Sequence, residues 1–198
     1  MRKRIDSFVI NREDRPERKE HAINTLLFQG FEPEIFNAII TQPGWKGCRD
    51  SHLEILEKNK HRAGVFIFED DIEFSIYYDN QCFYDMCQEL PLDFDCLSLG
   101  LSPQEPFERY SEHLFKIGKA WCLHATMWNN REGGAVEYIL THKEEIGKID
   151  VFLSEKVYPN FNCFVGYPIL CTQKQFPSDT CGKSDVSTIV KNYNKYCK

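Results

Sequence analysis

The chain has 198 residues, 42% of them apolar and 27% charged, which suits one globular domain and excludes disorder, collagen-like repeats and a disulfide-built miniprotein. Its 30 acidic and 24 basic side chains leave a formal charge of -6, which disfavours a dedicated nucleic-acid binder. No stretch reaches the roughly 20 apolar residues that span a bilayer, and no signal-peptide core follows the basic start, so a cytoplasmic protein is expected.

Ile5 to Ile10 reads as a first strand. Asp14 and Glu17 then suggest a capping box, with Pro16 tolerated in the first turn of a helix. Ala22, Ile23, Leu26 and Leu27 share one face of that helix, and Gly30 closes it. Pro33 to Ile40 is extended. A second helix starts near Trp45, with Cys48, His52, Ile55 and Leu56 at helical spacing. Val65 to Phe68 is wholly apolar, which suits a central strand covered on both faces.

A third helix is expected over Tyr77 to Leu90, turning Phe83, Met86, Cys87 and Leu90 inward, and a strand over Phe94 to Leu99. Gly100 to Glu112 reads as loop, His113 to Met127 as a strand or hairpin, and Gly134 to His142 and Asp150 to Lys156 as short helices. Asp185 to Tyr196 reads as a terminal helix. This alternation predicts an α/β fold with a mostly parallel central sheet flanked by helices, in a single domain over residues 1–198. Ligands of such folds bind where the strands end. The nine cysteines are odd in number, evenly scattered and lack any Cys-x-x-Cys, so buried thiols are expected in place of a structural zinc.

Glu69-Asp70-Asp71 follows the buried strand directly. Adjacent carboxylates at a strand's carboxyl end suit Mg²⁺ or Mn²⁺, completed by phosphate and water. The alternative is a solvated acidic turn in which Asp70 or Asp71 caps the next helix. Asn11, Arg12, Asp14, Arg15 and Arg18 cluster at the end of the first strand, where they would hold a phosphorylated ligand or simply open a capped helix. Ser51 and His52 are neighbours in a helix, so they point to different sides and make a poor catalytic couple; His52 is expected in the core or behind a ligand.

Together these segments resemble glycosyltransferase family 25, the lipooligosaccharide and procollagen sugar-transferase family. The resemblance rests on Val9-Ile10-Asn11-Arg12-Glu13-Asp14-Arg15, Phe36-Asn37-Ala38, Gly47-Cys48-Arg49-Asp50-Ser51-His52 and Glu69-Asp70-Asp71. It continues through Leu99-Gly100, Gly134-Ala135, Asp150-Val151-Phe152-Leu153, Pro168 to Gln173 and Ser178-Asp179. It implies a GT-A fold with a nucleotide-sugar half near residues 1–100 and an acceptor half near 101–198. It also implies an inverting transfer from a nucleotide-sugar donor, usually UDP-linked, to a glycan, lipid-linked glycan or glycoprotein, with Mn²⁺ or Mg²⁺ as cofactor. Asp71 would be the direct metal ligand with Glu69 beside it. Asn11, Arg12, Arg15, Glu69, Asp70 and Gln173 would lie near the nucleotide sugar.

Asp150 is the expected base and Asp179 its runner-up; a plain helix N-cap is the other reading of Asp150. The family's Gly-Thr-x-Ala-Tyr strand is replaced by His124-Ala125-Thr126-Met127-Trp128, in the region that lines the donor-sugar pocket. Two other readings use the same residues. One is a metal-dependent hydrolase or nucleotidyltransferase; the other is a catalytically inactive sugar- or nucleotide-binding module.

Overall fold

The computed structural model describes residues 5–176 and 187–198. In chain order the first half holds β1 (Asp6–Asn11), α1 (Pro16–Phe28), β2 (Glu34–Asn37), α2 (Gly44–Asn59), β3 (Gly64–Glu69), β4 (Ile72–Phe74), α3 (Asn80–Glu89) and β5 (Cys96–Pro103). The second holds β6 (Glu108–Arg109), β7 (Leu114–Lys116), β8 (Ala120–Asn129), α4 (Ala135–Thr141), α5 (Ile149–Phe152), β9 (Cys163–Gly166), β10 (Cys171–Gln173) and α6 (Ser187–Tyr196).

Eight strands form one sheet in the order β2-β1-β3-β8-β5-β9-β7-β6. β1 is parallel to β2 and β3, and β5 to β9, whereas β8 and β7 are antiparallel to their neighbours. Six strands therefore run one way, with β8 and β7 against them. This is the α/β architecture with a mostly parallel sheet that the sequence predicts. β4 and β10 form a separate two-stranded ribbon.

Alternate residues of the central strands feed two cores, as a period of two requires. Phe8, Ile10, Val65 and Ile67 face one side, where they meet Ile55 and Leu56 of α2, Ile139 of α4 and Tyr193 of α6. Val9, Phe66 and Phe68 face the other, against Ala22 and Leu26 of α1 and Met86 of α3. Phe66, Phe68, Phe74 and Phe83 surround Phe31 with ring centroids 5.2–6.0 Å away. Fully burying a side chain such as Phe66 or Phe68 contributes about 1.5–3 kcal/mol. Helices on both faces explain why Val65 to Phe68 is apolar throughout.

Several expectations change. α1 has no capping box: Arg15 occupies the cap position and its side chain makes no capping hydrogen bond, and Asp14 instead grips Arg12 through two hydrogen bonds of 2.7 and 2.9 Å. Leu27 is exposed, so the buried stripe of α1 is Arg18, Ala22 and Leu26. α3 starts later than Tyr77 because the Asp79 carboxylate caps it, accepting from the Cys82 amide at 2.6 Å. The expected loop after Leu99 is strand as far as Pro103, and β5 is buried along its whole length.

Candidate functional site

β1 and β3 are adjacent and parallel, with Ile10 in register with Glu69, so Asn11 and Asp70 leave the sheet side by side. β8 enters the sheet beside them, pairing Ala125 with Phe68, which puts Cys122 and Leu123 at the same edge. The edge opens into a cleft of about 280 Å³ lined by Arg12, Arg18, Cys48, His52, Glu69, Asp70, Asp71, Asp150 and Gln173 among others. Trp45, Lys148 and Phe176 also form its walls.

The three acidic residues are held differently. Asp70 is buried; Asn11 Nδ2 donates to its Oδ2 at 2.8 Å, and the Arg18 guanidinium pairs with its other oxygen. Burial raises the Asp70 carboxyl above its usual range, against the pull of Arg18 and Asn11. Asp71 lies 3.7 Å from Arg18 and accepts from Gln173 Nε2 at 3.2 and 3.3 Å. Burial, then the charges of Glu69 and Asp70, push Asp71 up to about 7 despite those partners. Burial acts on Glu69 in the same sense, but its hydrogen bond and charge interaction with His52, with help from His124 and Arg18, hold it below the usual value.

Gln173 reaches this group because β10 pairs with β4: Gln173 stands opposite Ile72, the residue after Asp71. The ribbon passes close to the sheet. A Cβ on Gly100 of β5 would lie 1.9 Å from the Cys171 carbonyl oxygen, so only glycine fits there. This contact gives a physical reason for the Leu99-Gly100 motif.

The Gly-Cys-x-x-Ser-His motif works as a clamp. A Cβ on Gly47 would lie 2.0 Å from the Ile39 carbonyl oxygen. Ser51 Oγ donates to the Gly47 carbonyl at 2.7 Å and accepts from the Ile39 amide at 2.9 Å. These contacts fix the segment after β2, whose residues 38–41 wall the cleft. Cys48 and His52, one turn apart on α2, both turn to Glu69 Oε1. Ser51 and His52 do point to different sides of the helix, and His52 is buried behind the acidic group.

The remaining expected residues divide. Arg12 and Asp150 line the cleft. Asp150 is not a helix cap: Lys148 holds the cap position of α5, and the Asp150 carboxylate accepts from the next amide, Val151 N, at 2.9 Å. Asn11 is buried beneath the cleft, where its side chain meets Asp70 and its carbonyl accepts from the Ala38 amide at 2.8 Å. Arg15 does not line the cleft; its carbonyl accepts from Asn11 Nδ2 at 3.3 Å. Asp179 lies outside the described residues.

In the His124–Trp128 stretch, His124 and Trp128 are buried within β8, and the cleft wall comes from Cys122 and Leu123 just before it. Cys122 has a positive φ of 74°, the left-handed region that non-glycine residues rarely occupy. Trp45 and Lys148 were not among the expected site residues; a lone Trp at a helix start and a lone Lys before Asp150 carry no motif.

No family model and no curated protein matches the chain. Solved structures similar to it include a protein from STIV, with 13% identity and a TM-score of 0.48 over 89% of this chain and 87% of that one. A glycosyltransferase involved in the glycosylation of the major capsid of PBCV-1 shares 9% identity, with a TM-score of 0.49 over 82% of this chain and 81% of that one. A mannose-1-phosphate geranyltransferase from Thermus thermophilus shares 11% identity, with a TM-score of 0.42 over 82% of this chain and 59% of that one. Among the described residues, no helix is long and apolar enough to cross a membrane.

Proposed function

We propose that the protein is a glycosyltransferase of the GT-A kind, moving a sugar with inversion from a UDP-linked donor to a hydroxyl on a glycan, lipid-linked glycan or glycoprotein. One observation carries this reading: Arg12, Glu69, Asp70, Asp71, Asp150 and Gln173, far apart in sequence, line a single cleft at the carboxyl ends of β1 and β3. The motif resemblance supports the same assignment.

The carboxylates suit a hard divalent cation. Asp71 is pushed up to about 7 because burial and its acidic neighbours outweigh the charge of Arg18, and a cation would relieve that repulsion. Asp71 would hold Mn²⁺ or Mg²⁺, with Glu69 contributing Oε2, the oxygen that faces Gln173. When bound, the ion offsets charge on the nucleoside diphosphate leaving group. Arg18 keeps Asp70 and Asp71 in place through its ion pairs. Arg12, braced by Asp14, offers positive charge to the phosphates at the cleft rim. Asp150, on the α5 side, takes the acceptor hydroxyl's proton as the new bond forms. Trp45 and Lys148 form the wall against which the acceptor rests.

UDP with Mn²⁺ is expected to raise the thermal midpoint of the protein, by the equivalent of about 2.7 kcal/mol at a hundredfold excess over Kd. Asp71→Asn removes that rise. Asp150→Asn keeps it but lowers sugar transfer by about 10²–10⁴-fold. A screen of nucleotide sugars for slow Mn²⁺-dependent hydrolysis identifies the donor. Failure of every nucleoside diphosphate to stabilise the protein in the presence of metal sinks the reading. UDP binding without cleavage of any donor leaves a binding module.

A further inference from the structure

A different set of donors converges on the floor of the same cleft. Cys48 Sγ, His52 Nε2 and a Glu69 carboxylate oxygen all lie within 4.8 Å of one another. Cys48 and His52 are one turn apart on α2 and so share a face. Glu69 meets them from the end of β3. Both α2 side chains aim at the same oxygen, Oε1, with Sγ at 3.9 Å and Nε2 at 3.4 Å.

The second distance is long for a direct hydrogen bond, whose N–H···O mode is about 2.9–3.0 Å. Both are close to the edges of a tetrahedral metal shell. Bonds of about 2.3 Å to sulfur and 2.0–2.1 Å to nitrogen or oxygen separate the ligand atoms by about 3.4–3.6 Å. The His52 ring is 1% exposed, and among the described residues its Nδ1 has no hydrogen-bond partner. A buried imidazole whose Nε2 meets only this long contact is suited to a stronger partner there.

We propose that Cys48, His52 and Glu69 form a three-ligand site for a zinc-class divalent cation, with its fourth position open to the cleft. Thiolate and imidazole donors select zinc over Mg²⁺ and Mn²⁺, which take oxygen ligands. The site is therefore chemically separate from the one at Asp71, although Glu69 touches both: Oε1 faces Cys48 and His52, and Oε2 faces Gln173. On binding, the Cys48 S–H bond breaks, its proton goes to water, and the sulfur electron pair forms the bond to the cation. His52 gives its Nε2 lone pair in the tautomer that carries its single proton on Nδ1, the Nε2 proton of the metal-free pair moving there through water. The local pattern of Cys and His hides this site, because its third ligand comes from another element 17 residues beyond His52.

The inference does not depend on the transferase reading, and its test uses no sugar or nucleotide. Titrating the metal-free protein with Co²⁺ is expected to produce a thiolate-to-cobalt charge-transfer band, with proton release, saturating at one cobalt per chain. Zn²⁺ is expected to bleach it. Cys48→Ser, nearly isosteric, loses the band while circular dichroism stays unchanged. Asp71→Asn keeps the band, which separates this site from the proposed Mn²⁺ site. No thiolate band at saturating Co²⁺, or an undiminished band in Cys48→Ser, overturns the proposal.

Discussion

Asp70 has both oxygens committed, one to Asn11 and one to Arg18, and Arg18 is itself among the buried residues of α1. Removing one member of a buried pair leaves the other uncompensated. Arg18→Met keeps much of the apolar stem but strands Asp70 and weakens the hold on Asp71. It is expected to cost about 3–5 kcal/mol, measured by urea unfolding of the metal-free protein. The motif Val-Ile-Asn singled out Asn11 near the nucleotide, but Asn11 lies beneath the cleft, and its partner Asp70, 59 positions away, needed the register of β1 against β3 to be seen. Gly47 is similar. Its place in a motif is visible in sequence, but the reason for it is the Ile39 carbonyl, which only the folded chain brings within reach.

The elements with their own periodicity and punctuation were the readable ones. α2, β3 and α4 lie close to where spacing, Gly64 and Gly134 put them. β4 and β10 were not readable, since each spans three residues and exists only by pairing with the other. A second tie of this kind is Asp95, which is fully buried. Its carboxylate accepts from the Ala135 amide at the start of α4, from Arg131 and from the Asn162 amide before β9. Asp95→Ala leaves those donors unmet and is expected to cost about 3 kcal/mol in chemical denaturation.

The end of α3 is tied to the chain before β7 by a pH-sensitive pair. His113 Nδ1 lies 2.7 Å from Glu89, whose other oxygen accepts from the His113 amide at 2.9 Å. The hydrogen bond to Glu89 raises His113 above its usual value, against a small effect of burial. Burial raises Glu89, but bonds from Ser111 and His113 outweigh it and hold the carboxyl low. A raised His contributes fully below its unfolded pKa of about 6.5 and loses that contribution as pH rises through the folded value. A depressed Glu contributes fully above about 4.3 and loses it as pH falls through its folded value. The stability gap between wild type and His113→Asn is thus expected to peak between about pH 4.3 and 6.5, at no more than about 1 kcal/mol for a half-buried pair near the surface. A gap that is flat with pH would show that the ion pair contributes nothing.

At the scale of the molecule, the α/β class was legible because a buried apolar strand ending in carboxylates, repeated helix starts and short links admit few arrangements. The strand order was not. β8 inserts between β3 and β5, and that antiparallel placement comes from long-range pairing, which local propensity does not encode. The same distinction separates the site residues: Glu69, Asp70 and Asp71 were marked by their neighbours in sequence, and Trp45 and Lys148 by nothing. Buried thiols were expected; the eight described cysteines are free, with Cys96, Cys163, Cys171 and Cys197 buried and Cys48, Cys82, Cys87 and Cys122 only half-buried. Stability therefore draws on the two cores on either side of the sheet. Saturating dithiothreitol is expected to leave the thermal midpoint within about 1 °C of the untreated protein, because a lost disulfide worth about 2–5 kcal/mol would move it much further.

The bond between Asp71 and Gln173 joins positions 102 residues apart. During synthesis the acidic run leaves the ribosome first and waits for β10, an interval of about 5–20 s at ordinary elongation rates. For that time Glu69 and Asp71 lack the amide of Gln173, and β4 lacks its partner strand. The cleft is thus among the last parts of the molecule to be completed, and a nascent chain released before β10 would carry all eight strands of the sheet but lack the Gln173 that closes on Asp71.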